Sequence, residues 1–372
     1  MIKKLKLKQA LVNLVLAGSS LIITLVVIEL LTGILFCSGV GQFLHAPTGW
    51  PAVRGVGAVT DPDPTLGWRG RPGLQAWFYD YYRCPTYQSK FVHNSRGFRD
   101  QERDYARQPQ ARRLIVLGDS YTWGWGVEQN YATLLQDKFK VAQLPIEVIN
   151  LGVIGYDTAQ ELLMYEQQGA SYQPDMVLLA FCVNDYGENA ENWTWGYARP
   201  RFAIEADGSL RLTDDPPKVP RPAGSPYATV ARYWLTDHSL TYRLAGRVVL
   251  RDRSQVSAEE KRLTLALVDA LRAGVQASGA RFAVMMVPGP EQVLSPAVAA
   301  PDWYTSVVEW SANTGTWLLE PLTELRASQQ AGQRLYFLPQ DPHWTQTGHQ
   351  RVADYLFERL QDTPGLSYSV AR

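Results

Sequence analysis

Two short motifs, near opposite ends of the main domain, carry residue types that could perform acyl transfer. The first is Leu117-Gly118-Asp119-Ser120-Tyr121. It follows an apolar run at 114–117 that reads as a buried strand, so Ser120 falls on a strand-to-helix turn. There a hydroxyl stands at the carboxyl edge of a sheet, beside the free N–H groups of a helix start, which favour developing negative charge. A serine hydroxyl is a weak nucleophile at neutral pH and needs a base within hydrogen-bond reach. The second motif, Asp341-Pro342-His343-Trp344, follows an apolar run at 335–338 that also reads as a strand. An acid two residues before a histidine can hold one ring nitrogen and fix the tautomer, leaving the other nitrogen to face Ser120. The chain has five histidines: His45, His93, His238, His343 and His349. Only His343 combines the end of an expected strand with an adjacent acid. His349 falls at the start of the next helix, where a surface or supporting role is expected.

Two further segments lie between these motifs, each behind an apolar run. Asn150-Leu151-Gly152-Val153-Ile154-Gly155 offers a glycine N–H with no Cβ in the way. Cys182-Val183-Asn184-Asp185 offers a side-chain amide. Both groups are suitable donors to an oxyanion. Taken singly, each motif has a plainer reading: an N-cap for Ser120, a strand-end turn for the glycines, an Asx-turn for Asn184.

The elements that must position these residues follow from periodicity. From residue 113, short apolar runs alternate with amphipathic stretches. The runs at 114–117, 148–151, 176–181, 282–287 and 335–338 predict strands. Helices are expected through 131–135, near 159–167, from a capping box at Ser257 and Glu260 to about Ala277, and from about Thr345 through Leu360. Strands separated by helices predict βαβ units, a parallel sheet covered on both faces, and sites beyond the carboxyl ends of its strands. Residues 38–112 are rich in Gly, Pro and aromatics, include Leu66-Gly67-Trp68, and end in Asn94-Ser95-Arg96-Gly97-Phe98-Arg99. They read as a connector that becomes a small irregular or β-rich layer. A long insertion at about 187–254 begins at Glu188, carries Trp193 and Trp195 near its start and passes through a proline-rich stretch, as a cover or binding region would. Residues 363–372 are a tail.

As an ordered set, the four motifs resemble the SGNH hydrolases, also called GDSL-like lipases and esterases, over residues 113–362. Gly118-Asp119-Ser120 is similar to the family's first block, Gly155 to the glycine of the second, Asn184 to the asparagine of the third, and Asp341 with His343 to the fifth. Cys182 stands where the third block usually has glycine, and Asp-x-His replaces the frequent Asp-x-x-His. The resemblance implies a flavodoxin-like three-layer α/β/α fold. It also implies a Ser120–His343–Asp341 triad, and an oxyanion hole made by the Ser120 N–H, the Gly155 N–H and the Asn184 amide. The Asp-x-His-Trp form is similar to extracytoplasmic bacterial members, including some that add or remove acetyl groups on polysaccharides. An O-acyltransferase therefore stands beside the esterase reading, and a non-catalytic glycan-binding scaffold using Trp193 and Trp195 beside both.

Composition narrows the partners. Of the 372 residues, 36 are Lys or Arg and 36 Asp or Glu, a balance that gives no reason to expect nucleic acid. Neither the cysteines (Cys37, Cys84, Cys182) nor the histidines have metal-ligand spacing, and the chemistry needs neither metal nor organic cofactor. Cys37 and Cys84 could pair, but nothing in their spacing argues for it. The 12 Trp and 19 Tyr are expected mainly in the core. Residues 10–36 are apolar, with Glu29 the sole ionisable residue, and Lys3, Lys4, Lys6 and Lys8 precede them. Residues 1–37 thus read as a basic tip and a membrane-spanning anchor, with the N-terminus cytoplasmic and the remainder periplasmic. A cleaved signal peptide fits less well, because the apolar run is long and no small-x-small site follows it. Glu29 must either be paired within the membrane or reach the outer interface.

Overall fold

The computed structural model describes residues 2–36, 52–53, 56–79, 88–194, 196–214, 235, 239, 241–242, 256–295, 301–338, 341–363 and 366. Five parallel strands form the central sheet: β1 (Arg112–Gly118), β2 (Ile146–Asn150), β3 (Met176–Phe181), β4 (Arg281–Met286) and β5 (Trp317–Leu319), in the order β2-β1-β3-β4-β5. Side chains alternate across a pleated strand, so a strand buried on both faces must be apolar throughout. The two core clusters show this alternation. Ile115 and Leu117 of β1, Val177 and Leu179 of β3, and Val284 of β4 enter one. Leu114 and Val116, Leu178 and Ala180, and Ala283 and Met285 enter the other.

Helices cover both faces. Against the first lie α2 (Thr158–Met164), α3 (Ala258–Ala277) and α4 (Asp302–Thr314), inserting Leu162, Leu267, Leu271 and Val307. Against the second lie α1 (Tyr131–Val141), α5 (Leu322–Gln330) and α6 (Gln346–Leu360), inserting Leu135, Phe139, Leu325, Val352 and Leu356. Each such side chain, fully withdrawn from water, contributes about 1.5–3 kcal/mol before its entropy cost. The caps match the residues: the Ser257–Glu260 capping box opens α3, Asn130 caps α1 and Thr345 caps α6.

The expected strand at 335–338 is not in the sheet. Tyr336 makes only an isolated antiparallel bridge to Trp344. The edge position belongs to β5, a three-residue strand too short to show a period. Residues 335–345 instead fold back on themselves, with the Phe337 N–H donating to the His343 carbonyl (3.0 Å) and the Thr345 N–H to the Leu335 carbonyl (2.8 Å). A short apolar run has no periodicity to separate a strand from such a loop. Behind α2, the expected helix loosens into a π turn (Tyr165–Gly169) and a 3₁₀ turn (Ala170–Tyr172).

Ahead of the sheet, short strands build a separate layer. Thr60–Asp63 pairs with Gly67–Gly70, and Gln75–Tyr79 with Gln88–Val92. Val59, Phe78 and Phe91 of this layer pack with Trp123, Val127, Ile154 and Phe337 of the main domain. Asn94 shapes its last turn by accepting the N–H groups of Arg96 and Phe98, each at 3.0 Å. Gly97 sits there at φ 90°, and a Cβ on it would meet the Gly70 carbonyl oxygen at 2.0 Å.

The described part of the insertion holds two antiparallel pairs, Trp193–Thr194 with Tyr197–Ala198 and Arg201–Ile204 with Leu210–Asp214. Trp195, Cys37 and Cys84 lie outside the described residues. Cys182 is buried and free. The helix Ile2–Phe36 contains, at Val12–Ile34, a stretch long and apolar enough to cross a membrane, a test that a signal sequence also meets. Glu29 of this helix accepts hydrogen bonds from Ser239 Oγ (2.7 Å) and the Thr241 N–H (3.3 Å), and Thr241 Oγ1 donates to Thr32 Oγ1 (2.9 Å).

Two measurements check the layer. Gly97→Ala should destabilise the protein by about 2 kcal/mol or more, through positive φ and backbone collision. An unchanged melting temperature would contradict this. His93 is buried; its Nε2 accepts from Trp123 Nε1 and its Nδ1 donates to the Arg71 carbonyl, each at 2.9 Å. Burial lowers its pKa from 6.5 to about 4. The unfolded chain therefore takes up a proton at this ring below pH 6.5, where the folded chain resists it. The stability owed to the neutral ring is complete above pH 6.5 and falls away towards pH 4, by about 3 kcal/mol. Urea midpoints of His93→Gln should decline less than those of the native chain between pH 7 and 4.5; equal declines would exclude His93 as a source.

Candidate active site

Strand β1 ends at Gly118, and Asp119 turns the chain into a short helix, Ser120–Trp123. Asp119 caps it by accepting the Tyr121 N–H at 2.9 Å. This leaves Ser120 beyond the carboxyl end of the central strand, half-buried, where an open α/β sheet places its ligands. The loop at 335–345 brings the distant motif to the same edge. His343 Nε2 lies 2.7 Å from Ser120 Oγ, and His343 Nδ1 lies 2.6 Å from Asp341 Oδ1. The same Asp341 oxygen accepts the His343 backbone N–H at 2.8 Å. A buried carboxylate beside Nδ1 keeps the proton on that nitrogen, so Nε2 is free to accept from the serine hydroxyl. The imidazole is flanked by rings: Trp125 stacks on it at 5.1 Å and 18°, and Tyr121 lies at 4.9 Å while its hydroxyl donates to the Pro342 carbonyl at 2.9 Å.

The other two candidates come from the ends of β2 and β3. After β2, the Leu151 and Val153 N–H groups bond to Val116 and Gly118 of β1, which pins the 151–155 loop beside Ser120. Gly152 is required by contact, since a Cβ would come within 2.9 Å of the Thr122 backbone. Gly155 adopts φ 72°. Trp68 of the N-terminal layer holds this loop: its Nε1 donates to the Ile154 carbonyl (2.9 Å), and Tyr156 OH donates to the Trp68 carbonyl (2.6 Å). After β3, Asn184 opens a short helix and its Nδ2 lies 3.5 Å from Asp119 Oδ2. Burial pushes the Asp119 carboxyl above the usual carboxylate range, against the opposing pull of the Tyr121 N–H and His343.

All five expected residues therefore border one edge of the sheet. Reading the sequence missed their supports. Trp125 and Tyr121 fall within five residues of Ser120, but aromatics there read as core. His349 was expected at the surface or in support; it is fully buried, its Nδ1 accepting the Tyr131 N–H at 3.2 Å, and burial pushes its pKa down to about 3. The helix face it occupies points inward, which a single histidine near a helix start does not signal. Trp193 is half-buried, and its Nε1 has no hydrogen-bond partner among the described residues.

Residues 116–351 match the profile of the GDSL-like lipase/acylhydrolase family. No curated protein matches the chain in sequence. Among solved structures it is similar to an acetylxylan esterase from Geobacillus stearothermophilus (13% identity, covering 69% of this chain and 97% of that one, TM-score 0.40). It is also similar to a psychrotrophic esterase from Pseudoalteromonas sp. (16% identity, 66% and 95%, TM-score 0.37) and to a member of the lipolytic G-D-S-L family from Veillonella parvula (12% identity, 68% and 100%, TM-score 0.41).

Proposed function

The chain belongs to the GDSL-like lipase/acylhydrolase family and is an ester-hydrolysing enzyme, and from that premise we propose that it works through an acyl-enzyme on Ser120. The observation that carries the proposal is the continuous hydrogen-bonded chain Ser120–His343–Asp341 at 2.7 and 2.6 Å. In this reading His343 Nε2 takes the proton from Ser120 Oγ as the oxygen attacks the ester carbonyl carbon. The Asp341 carboxylate orients the ring and stabilises the imidazolium. The carbonyl oxygen, now negative, is met by the Ser120 and Gly155 N–H groups and the Asn184 amide. Collapse returns the proton from Nε2 to the departing alkoxide and leaves the acyl group on Ser120. Water, deprotonated by the same nitrogen, then attacks the acyl carbon and regenerates the serine. Preorganised donors at the oxyanion and a positioned base are the larger contributors to such catalysis.

The substrate we propose is an O-acyl ester of an envelope glycan or lipid. The apolar stretch Val12–Ile34, read as an uncleaved anchor with lysines on its cytoplasmic side, would hold the site outside the membrane and near such esters. No nucleic acid enters this reading.

Hydrolysis of p-nitrophenyl acetate by the purified full chain tests it. Ser120→Ala should lower kcat/KM on the order of 10⁴-fold or more, Asp341→Asn on the order of 10³–10⁴-fold, and Asn184→Ala on the order of 10²–10³-fold. Turnover that survives in Ser120→Ala would remove Ser120 from the mechanism.

A further inference from the structure

The block Asn94-Ser95-Arg96-Gly97-Phe98-Arg99 lies ahead of the family match and has no part in the chemistry above. Its turn delivers Arg99 into the interior, where the side chain is 5% exposed. A guanidinium withdrawn from water is costly unless its N–H groups are met. Among the described residues no carboxylate hydrogen-bonds it. Its acceptors are main-chain carbonyls: Trp123 (3.4 Å), Gly124, Val127, Glu128 (3.1 Å) and Lys90 (3.3 Å). Four of these five belong to the last residue of the Ser120 helix and the loop that follows it. The guanidinium also sits 4.7 Å over the Trp123 ring. Because its donors form a rigid planar fork, carbonyls that satisfy it are fixed relative to one another.

That loop carries Trp125, between Gly124 at φ 91° and Gly126 at φ 76°. Backbone so permissive does not choose its own shape. The shape it takes lays the Trp125 indole on the His343 imidazole, while Phe78 of the N-terminal layer packs edge-on against the indole at 4.8 Å.

We propose that Arg99 is a positioning residue for ester turnover: it shapes the 123–128 loop so that Trp125 lies flat on the His343 ring and keeps Nε2 in line with Ser120 Oγ. The inference rests on the roles given above to Ser120 and His343. A stacked indole opposes rotation of the imidazole away from the serine, and its face attracts the imidazolium formed when Ser120 gives up its proton. Both effects act on the reacting complex, so they belong to kcat rather than KM.

The test is a double-mutant cycle on p-nitrophenyl acetate hydrolysis by the full chain, using Arg99→Lys, Trp125→Ala and the pair, with melting temperatures for each. Trp125→Ala should lower kcat on the order of tenfold or more with KM within about twofold, and Trp125→Phe should restore most of the loss. Arg99→Lys should lower kcat similarly, and the double variant should be no slower than the slower single one, because the two act in series. Val275→Ala opens a cavity under α3, in a core cluster that holds no residue of the loop; it should lower the melting temperature and leave kcat unchanged. Losses that multiply, an unchanged kcat in Trp125→Ala, a rise in KM alone, or an equal kcat loss in Val275→Ala would each overturn the inference. If Arg99→Lys fails to fold, the Trp125 and Val275 arms still decide it. Ser120→Ala separates the two levels. Residual turnover there removes the reading of Ser120 itself, whereas an inactive Ser120→Ala with multiplying losses removes only the role of Arg99.

Discussion

A serine hydroxyl and a histidine nitrogen 223 positions apart in sequence meet at 2.7 Å, and the surrounding structure keeps them there. Neither group comes with its partner locally. Ser120 is set by the turn out of the central strand, and His343 by a loop closed on itself through the Leu335 and Phe337 main chain. The two are related only because α6, behind the histidine, packs on the same sheet face as α1, behind the serine. A small relative shift of those helices would lengthen the hydrogen bond, and closely packed interiors resist such shifts.

The N-terminal layer acts on the same constraint from the other side. Trp68 reaches the loop that carries Gly155, and Arg99 reaches the loop that carries Trp125. Phe78 and Phe91 close the contact between layer and domain around Trp123. A segment whose composition suggests a connector thus braces both loops beside Ser120. The contact of Glu29 with Ser239 and Thr241 is a further link, joining the apolar N-terminal helix to the insertion through an otherwise costly carboxylate.

Much of the sheet was legible because strands buried on both faces are continuous apolar runs, and the residues at their carboxyl ends could be named before any coordinate was known. The edge of the sheet was not. Residues 335–338 have the apolarity of a strand but close a loop, whereas Trp317–Leu319 forms the fifth strand in three residues. Ser120, Gly155 and Asn184 could be singled out because their chemistry is unusual at strand ends, and Asp341 with His343 because an acid two residues before a histidine is a recognisable pair. Trp125, Trp68 and Arg99 could not, because their part is played through carbonyls and ring faces that no spacing encodes. His349 belongs with them: its burial depends on which side of α6 meets α1.

The central claim is that the Ser120–His343 contact makes a nucleophile. It is tested most directly by treating the full chain with a fluorophosphonate and locating the adduct by peptide mass spectrometry. The account predicts a single adduct on the peptide containing Ser120, formed on the order of 10³-fold more slowly in His343→Ala. An adduct elsewhere, or labelling of Ser120 at an undiminished rate without the imidazole, would contradict it.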